Sequence, residues 1–254
     1  EDITWETTTS TDIGLDANFF NNRLQFHFDY YWKQTKDMLL NIEIPYFMGY
    51  NNPSTNAGKM STHGYDIELA WNDRIGDFKY GVNVNFSDFL SKIDYMNDGE
   101  QISGGKIKRA GVLFNEYYGY VCDGIYQTQE EVNNSARTST TVTVGDLKYR
   151  DISGPDGVPD GIISPEYDRV PLGNSLPRFQ YGGTFNASYK GIDFSIAFQG
   201  IGKQNSYLST AMVQPLRDNF GNVPSILEGK YWSPFNTAEE NLSAKYPRLS
   251  IEEQ

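Results

Sequence analysis

Cysteine is nearly absent. The chain of 254 residues carries one, Cys122, so no internal disulfide can brace it, and a partly buried free thiol is expected there. Histidine is almost as scarce: His27 and His63 alone exclude a multi-histidine zinc site. Positive charge falls short of negative, 21 Lys and Arg against 33 Asp and Glu, for a net charge of −12. That removes the basic face a nucleic-acid partner would need. No apolar run is long enough for a membrane-crossing helix, and no leader peptide is evident. The chain opens on Glu1 without Met, as expected of a mature or excised piece. No nucleophile, base and orienting group recur at a spacing that marks catalysis, so no catalytic residue is assigned and no enzyme is expected.

What is present in quantity is aromatic. Phe, Tyr and Trp make up 15%, led by 18 Tyr and 15 Phe, and 24 Gly supply turns; both favour strands. Period-2 alternation then marks six strands. In RLQFHFDYYW, Leu24, Phe26, Phe28, Tyr30 and Trp32 share one face, opposite Gln25, His27, Asp29 and Tyr31. GYDIELAWN puts Tyr65, Ile67, Leu69 and Trp71 against Asp66, Glu68 and Asn72, and FKYGVNVNF puts Phe78, Val82, Val84 and Phe86 against Lys79, Asn83 and Asn85. The segments around Ile13–Phe19, Phe179–Tyr189 and Phe194–Phe198 alternate in the same way.

Connection lengths narrow the fold. Asn21-Asn22, WNDRIGDF and YKGIDF make short joins, whereas 40–61, 91–177 and 203–254 are long, and the two kinds alternate strictly. Strands of about ten residues or more, aromatics near the ends of apolar faces, and alternating short and long connections are the layout of an outer-membrane β-barrel. By parity, 91–177 should hold no spanning strand or an even number, with NEYYGYVCDGIYQ as a local strand inside an extracellular excursion. Six strands cannot close a wide barrel, so a segment of a larger one is expected.

The residues also carry a resemblance. ITWETTTSTDIGLDANFFNNRLQFHFDYYWKQTKDMLL, NAGKMSTHGYDIELAW and the run from GDLKYRDISGPDG to DFSIAFQG are similar to stretches of the SusC/RagA family of TonB-linked outer-membrane proteins. The resemblance implies an all-β fold: an antiparallel transmembrane β-barrel segment, residues 1–254 being part of a barrel of about twenty-two strands. It implies a cell outer membrane location and import of oligosaccharides or peptides. It further implies a SusD-like lipoprotein partner and coupling to TonB through an N-terminal plug region that this sequence lacks. Outer-membrane lipid would be the remaining partner. A soluble all-β carbohydrate-binding module with a structural calcium loop is the alternative, and a β-rich glycoside hydrolase a third possibility. Phe26, Phe28, Ile67, Leu69, Val82 and Val84 discriminate: a second sheet packed on them would favour a soluble core.

Two clusters stand out as candidate sites. Tyr117, Tyr118, Tyr120 and Tyr126 could offer stacking faces to a sugar, against the plainer expectation of packing within a loop. In GDLKYRDISGPDGVPDGIISPEYDR, the carboxylates of Asp151, Asp156, Asp160 and Asp168 are interleaved with Gly and Pro, as in loops that wrap a hard cation. No cofactor is required, but a structural Ca²⁺ would suit such oxygen ligands. The spacing is broken, however. Counting from Asp156 places Asp160 and Gly161 well but puts Val158 and Tyr167 at ligand positions. Aspartates that cap backbone N–H groups in turns are the alternative.

Overall fold

The computed structural model describes residues 3–41, 49, 54–97, 99–138, 140–208, 215–216 and 222–250. Its contacts divide the chain into two units, 1–117 with 173–205, and 118–172 with 206–254.

The first unit is dominated by one antiparallel sheet. Its strands are β1 (Thr7–Phe19), β2 (Leu24–Asn41), β3 (Ser54–Ile75) and β4 (Phe78–Met96). Three short strands follow: β5 (Glu100–Ser103), β6 (Lys106–Arg109) and β7 (Glu116–Tyr120), of which β5 and β6 form a hairpin and β6 pairs with β7. The second unit contributes β8 (Cys122–Ile125), helix α1 (Gln129–Asn134) and β9 (Leu147–Tyr149), after which β10 (Arg169–Asn174) leads back. β11 (Arg178–Tyr189) and β12 (Ile192–Lys203) complete the large sheet, and helix α2 (Ala238–Leu242) lies near the C-terminal end. The large sheet has the order β1-β2-β3-β4-β11-β12. All six expected strands are there, and among the described residues no spanning strand lies between β4 and β11.

The strands are longer than alternation alone suggested. β2, β3 and β4 run 18, 22 and 19 residues, well into the segments read as loops at 40–61 and 91–177. The extra length runs through polar stretches such as QTKD and KMSTH, where pairing resumes across register shifts at Thr35/Met38 and Lys59/Met60. The expected local strand at 115–127 is two strands, β7 and β8, broken at Val121.

Turn chemistry sets the register. Phe20, Asn21 and Asn22 all adopt positive φ, and Asn tolerates the left-handed region better than most residues. Lys190 and Gly191 do the same between β11 and β12, as a two-residue primed turn requires. The pairing then carries each apolar position across the whole sheet. One row reads Phe19, Leu24, Trp71, Val82, Phe185, Ile196. The next reads Ala17, Phe26, Leu69, Val84, Gly183, Phe198. In the third, the Tyr181 ring lies over Gly200, filling a site where any Cβ would collide with it.

None of the described residues forms a cover over this face. Leu69, Val82 and Val84 are 36–39% exposed, Ile13, Phe194, Ile196 and Phe198 more so, and among the described residues no second sheet packs on them. The face ends in aromatic rows, Phe78 with Tyr189 at the short-turn end, Tyr30 with Tyr65 at the other. Those rows lie roughly ten residues apart along a strand. At about 3.3 Å per residue and a tilt of about 40° that gives roughly 25 Å, the height of an outer-membrane apolar band.

Candidate functional site

The opposite face of the large sheet is mainly polar, with Ala70, Phe89, Ala197 and Ile201 the exceptions along its middle and far rows. On β1 to β3 it is acidic, presenting Asp12, Asp16, Asp29, Asp66 and Glu68 with His27 among them. On β4, β11 and β12 it turns to amides and hydroxyls: Asn83, Asn85, Thr184, Asn186, Ser195 and Gln199. Cross-strand hydrogen bonds tie these residues together. His27 Nδ1 lies 2.6 Å from Asp16 Oδ1, Asn83 Nδ2 donates to Glu68 Oε1 at 2.5 Å, and Ser195 Oγ donates to Asn186 Oδ1 at 2.7 Å. Toward the short turns the face hollows into a concavity of about 830 Å³ that includes Arg74, Lys79, Asn186 and Asp193. A wall apolar on one side and hydrophilic on the other separates two solvents.

At the far end of the sheet, where the chain returns from its long excursion, Arg178 grips Asp88. Its Nε and an Nη each donate to one carboxylate oxygen at 2.5 Å, and the Phe179 N–H adds a third bond at 3.1 Å. Asp88 is only 6% exposed, so this is a desolvated bidentate pair rather than a surface ion pair. It fixes the start of β11 on β4.

The second unit has its own small core of Tyr126, Val132, Ile163 and Leu227, all nearly inaccessible. Helix α1 starts on Thr128, whose Oγ1 accepts the Glu131 N–H, while the Glu131 carboxylate accepts the Gln127 N–H and pairs with Lys148. The Gln127 N–H and then Lys148 hold the Glu131 carboxyl below its ordinary range. The C-terminal segment is fastened by Trp232 and Arg248. The Trp232 ring covers Gly145, whose φ of +91° and missing Cβ make room for it, and its Nε1 donates to Gln127 Oε1. Arg248 Nε donates to Asp146 Oδ1, and its N–H to the Gly145 carbonyl.

The four candidate tyrosines do not form one platform. Tyr126 is 1% exposed and its hydroxyl donates to the Ala136 carbonyl, so it is a core residue and no sugar can reach its ring. Alternation with buried neighbours, invisible in an aromatic count, makes the difference. Tyr120 packs against Tyr149 at 5.1 Å between ring centres. Tyr118 lies under the Arg169 guanidinium, and Tyr117 under Lys106 Nζ; both keep half-exposed rings. Tyr126→Phe is expected to lower the stability of the second unit by about 1 kcal/mol, since it strands the Ala136 carbonyl. The check is a thermal or urea midpoint, with glycan binding unchanged.

The acidic loop is held by its own backbone. Asp168 is fully buried, and its carboxylate accepts N–H groups from Ile152 and Ser164, each at 2.7 Å, and from Ser153 at 3.3 Å. Asp151 accepts from Gly161 N and Asp160 from Ile162 N, while Asp156 points to solvent. Among the described residues no three His, Cys, Asp or Glu side chains are grouped to hold a metal ion. Three of the four aspartates, Asp151, Asp160 and Asp168, cap backbone N–H groups, as the alternative reading of the loop expects, and Asp156 takes no part. Cys122 is exposed, not partly buried, and its thiol donates to the Gly124 carbonyl at 3.4 Å.

An amphipathic sheet with a bare apolar face, short turns at one end and an elaborate excursion at the other defines a segment of a membrane β-barrel. Residues 1–250 match the family described as TonB dependent receptor-like, beta-barrel, and the chain belongs to that family. TonB-dependent receptor P26 of Formosa agariphila is 35% identical over 78% of this chain and 20% of its own length. TonB-dependent receptor SusC of Bacteroides thetaiotaomicron is 24% identical over 100% of this chain and 24% of its own. The structure of the RagAB peptide transporter shares the fold, with a TM-score of 0.62 and 24% identity over 78% of this chain and 21% of that one. The chain thus spans about a fifth to a quarter of the relatives it matches.

Proposed function

We propose that this chain is part of the wall and the outer loops of an outer-membrane importer that takes up oligosaccharides or peptides together with a SusD-like surface lipoprotein. One observation carries it: a sheet whose uncovered apolar face measures a bilayer and whose reverse is hydrophilic. A soluble carbohydrate-binding module would bury Leu69, Val82 and Val84, and here they are bare. The family membership supports transport, the likeness to a peptide transporter points to peptides as one substrate class, and oligosaccharides and the lipoprotein partner rest on the sequence resemblance. Tyr117 and Tyr118 remain as stacking surfaces in this proposal; Tyr126 does not. The acidic turn serves as a brace for the excursion without a required cation. The intact protein, affinity-purified from outer membranes, should bring a surface lipoprotein with it and bind members of an oligosaccharide or peptide panel. Recovery without any lipoprotein, and binding of neither class, would sink the proposal.

A further inference from the structure

We infer that the outward wall of β2, β3 and β4 at the long-connection end is a docking surface for the phosphate-bearing headgroup of an anionic lipid, held by Lys36, Lys59 and Lys92. This rests on the reading that the large sheet spans the outer membrane.

The register places these lysines. Trp32, His63 and Leu90 form the first row beyond the Tyr30–Tyr65 edge. The next row outward holds Gln34, Ser61 and Lys92, and the one after it Lys36, opposite Thr7, and Lys59, opposite Tyr95. Lys36 and Lys92 are exposed and Lys59 half-exposed. None has an ion-pair partner among the described residues. Of the carboxylates on the same wall, Asp88 is matched by Arg178, and Asp94 accepts the Ser61 hydroxyl. That hydroxyl does not cancel the Asp94 charge, so three ammonium groups stand against one carboxylate, and the patch stays positive on a chain whose net charge is −12.

Depth gives the occupant. The lysine rows lie one and two rows past the Trp32 row, about 5–10 Å beyond it and about 10–15 Å beyond the Tyr30–Tyr65 edge, and lysine stems reach back to the headgroup level. Lysine ammonium groups at that level attract anionic lipid phosphates through near-surface electrostatics. The hydroxyls of Thr9, in the Gln34 row, and Thr7, in the Lys36 row, add hydrogen-bond donors for phosphate oxygens. The surface is continuous with the lipid-facing wall, so an acyl chain can lie against Trp32 and Tyr30 while its headgroup meets the lysines.

The test uses the intact protein in nanodiscs of phosphatidylcholine containing a minor share of phosphatidylglycerol, with retained lipid read by native mass spectrometry. The native protein should retain phosphatidylglycerol preferentially. The combined variant Lys36→Gln, Lys59→Gln, Lys92→Gln should lose about tenfold of that preference, and Lys92→Gln alone should lose part of it. Lys190→Gln, at the opposite end, should change nothing. Equal retention by the triple variant overturns the proposal, as does displacement of the lipid by inorganic phosphate in the millimolar range, which would mark a soluble-anion site. Insertion is measured separately by flotation. A protein that floats yet shows no lysine dependence refutes the docking surface and leaves the membrane wall standing; one that does not float overturns both.

Discussion

Asp168→Ala is expected to open the excursion of the second unit, costing about 3–5 kcal/mol of local stability. The side chain is wholly buried, and it alone accepts three backbone N–H groups from two separate strings of the loop. Removing it leaves all three donors desolvated and unpaired, which is worse than losing three bonds that water could replace. Asp168→Asn should fall between, because its amide offers one acceptor and turns a second donor toward an N–H. The measurement is amide hydrogen exchange at Ile152, Ser153 and Ser164, with limited proteolysis across 145–169. Chelation of divalent cations should leave both unaltered in the native protein; a chelator that reproduces the Asp168→Ala pattern would return the loop to the calcium alternative.

The same residue gives the loop a pH dependence. Burial alone would push the Asp168 carboxyl up, but the N–H groups of Ser164, Ile152 and Ser153 outweigh it and hold the carboxyl below the ordinary aspartate range. A carboxyl depressed on folding stabilises at pH values above its unfolded pKa and loses that contribution as pH falls through its lowered native one. Protection of the three amides should therefore persist through mildly acidic pH and fail only in strong acid.

The second large effect concerns the wall. Val84→Arg should destabilise the barrel by about 2–4 kcal/mol and cut its yield in outer membranes, because Val84 sits in the middle rows of the apolar face. Asn85→Arg, one residue along and on the polar face, should be tolerated. The pair tests sidedness directly. Equal urea midpoints and equal membrane yields for the two variants would contradict the assignment of lipid to the Val84 side.

How much of this was legible in the sequence follows from what each region relies on. Alternation names a face, and Leu24 to Trp32 or Phe78 to Phe86 alternate cleanly, so the sheet, its sidedness and its short turns could be read directly. The far ends of β2, β3 and β4 could not. Beyond Trp32 and His63 the outward face turns polar and only scattered apolar residues such as Ile93 and Met96 are buried on the other, so no regular alternation marks the ladder. The candidate sites fared less evenly for a related reason. Asp168 and Asp156 look alike in a string of acids and glycines, yet one is buried under three N–H groups and the other is in solvent. Tyr126 and Tyr118 differ in the same way. Only the fold decides which of two identical side chains faces inward. The Asp88–Arg178 pair joins residues far apart in sequence, and the arginine's place right after Leu176-Pro177 carried no signal of its partner.

The pairing of β4 with β11 also has a consequence in time. Every other pairing in the large sheet joins strands that follow one another in the chain, across connections that are short or moderate. β4 must wait for β11 while some eighty residues are made in between, and closing so long a stretch is entropically slower than closing a hairpin. The hairpin of β5 and β6, the docking of β6 on β7, and the Asp168 cap all form within that stretch and shorten the free length left to close. Assembly should therefore proceed as two curtains, β1 to β4 and β11 with β12, hung separately and drawn together last. Arg178 is the hook at the seam.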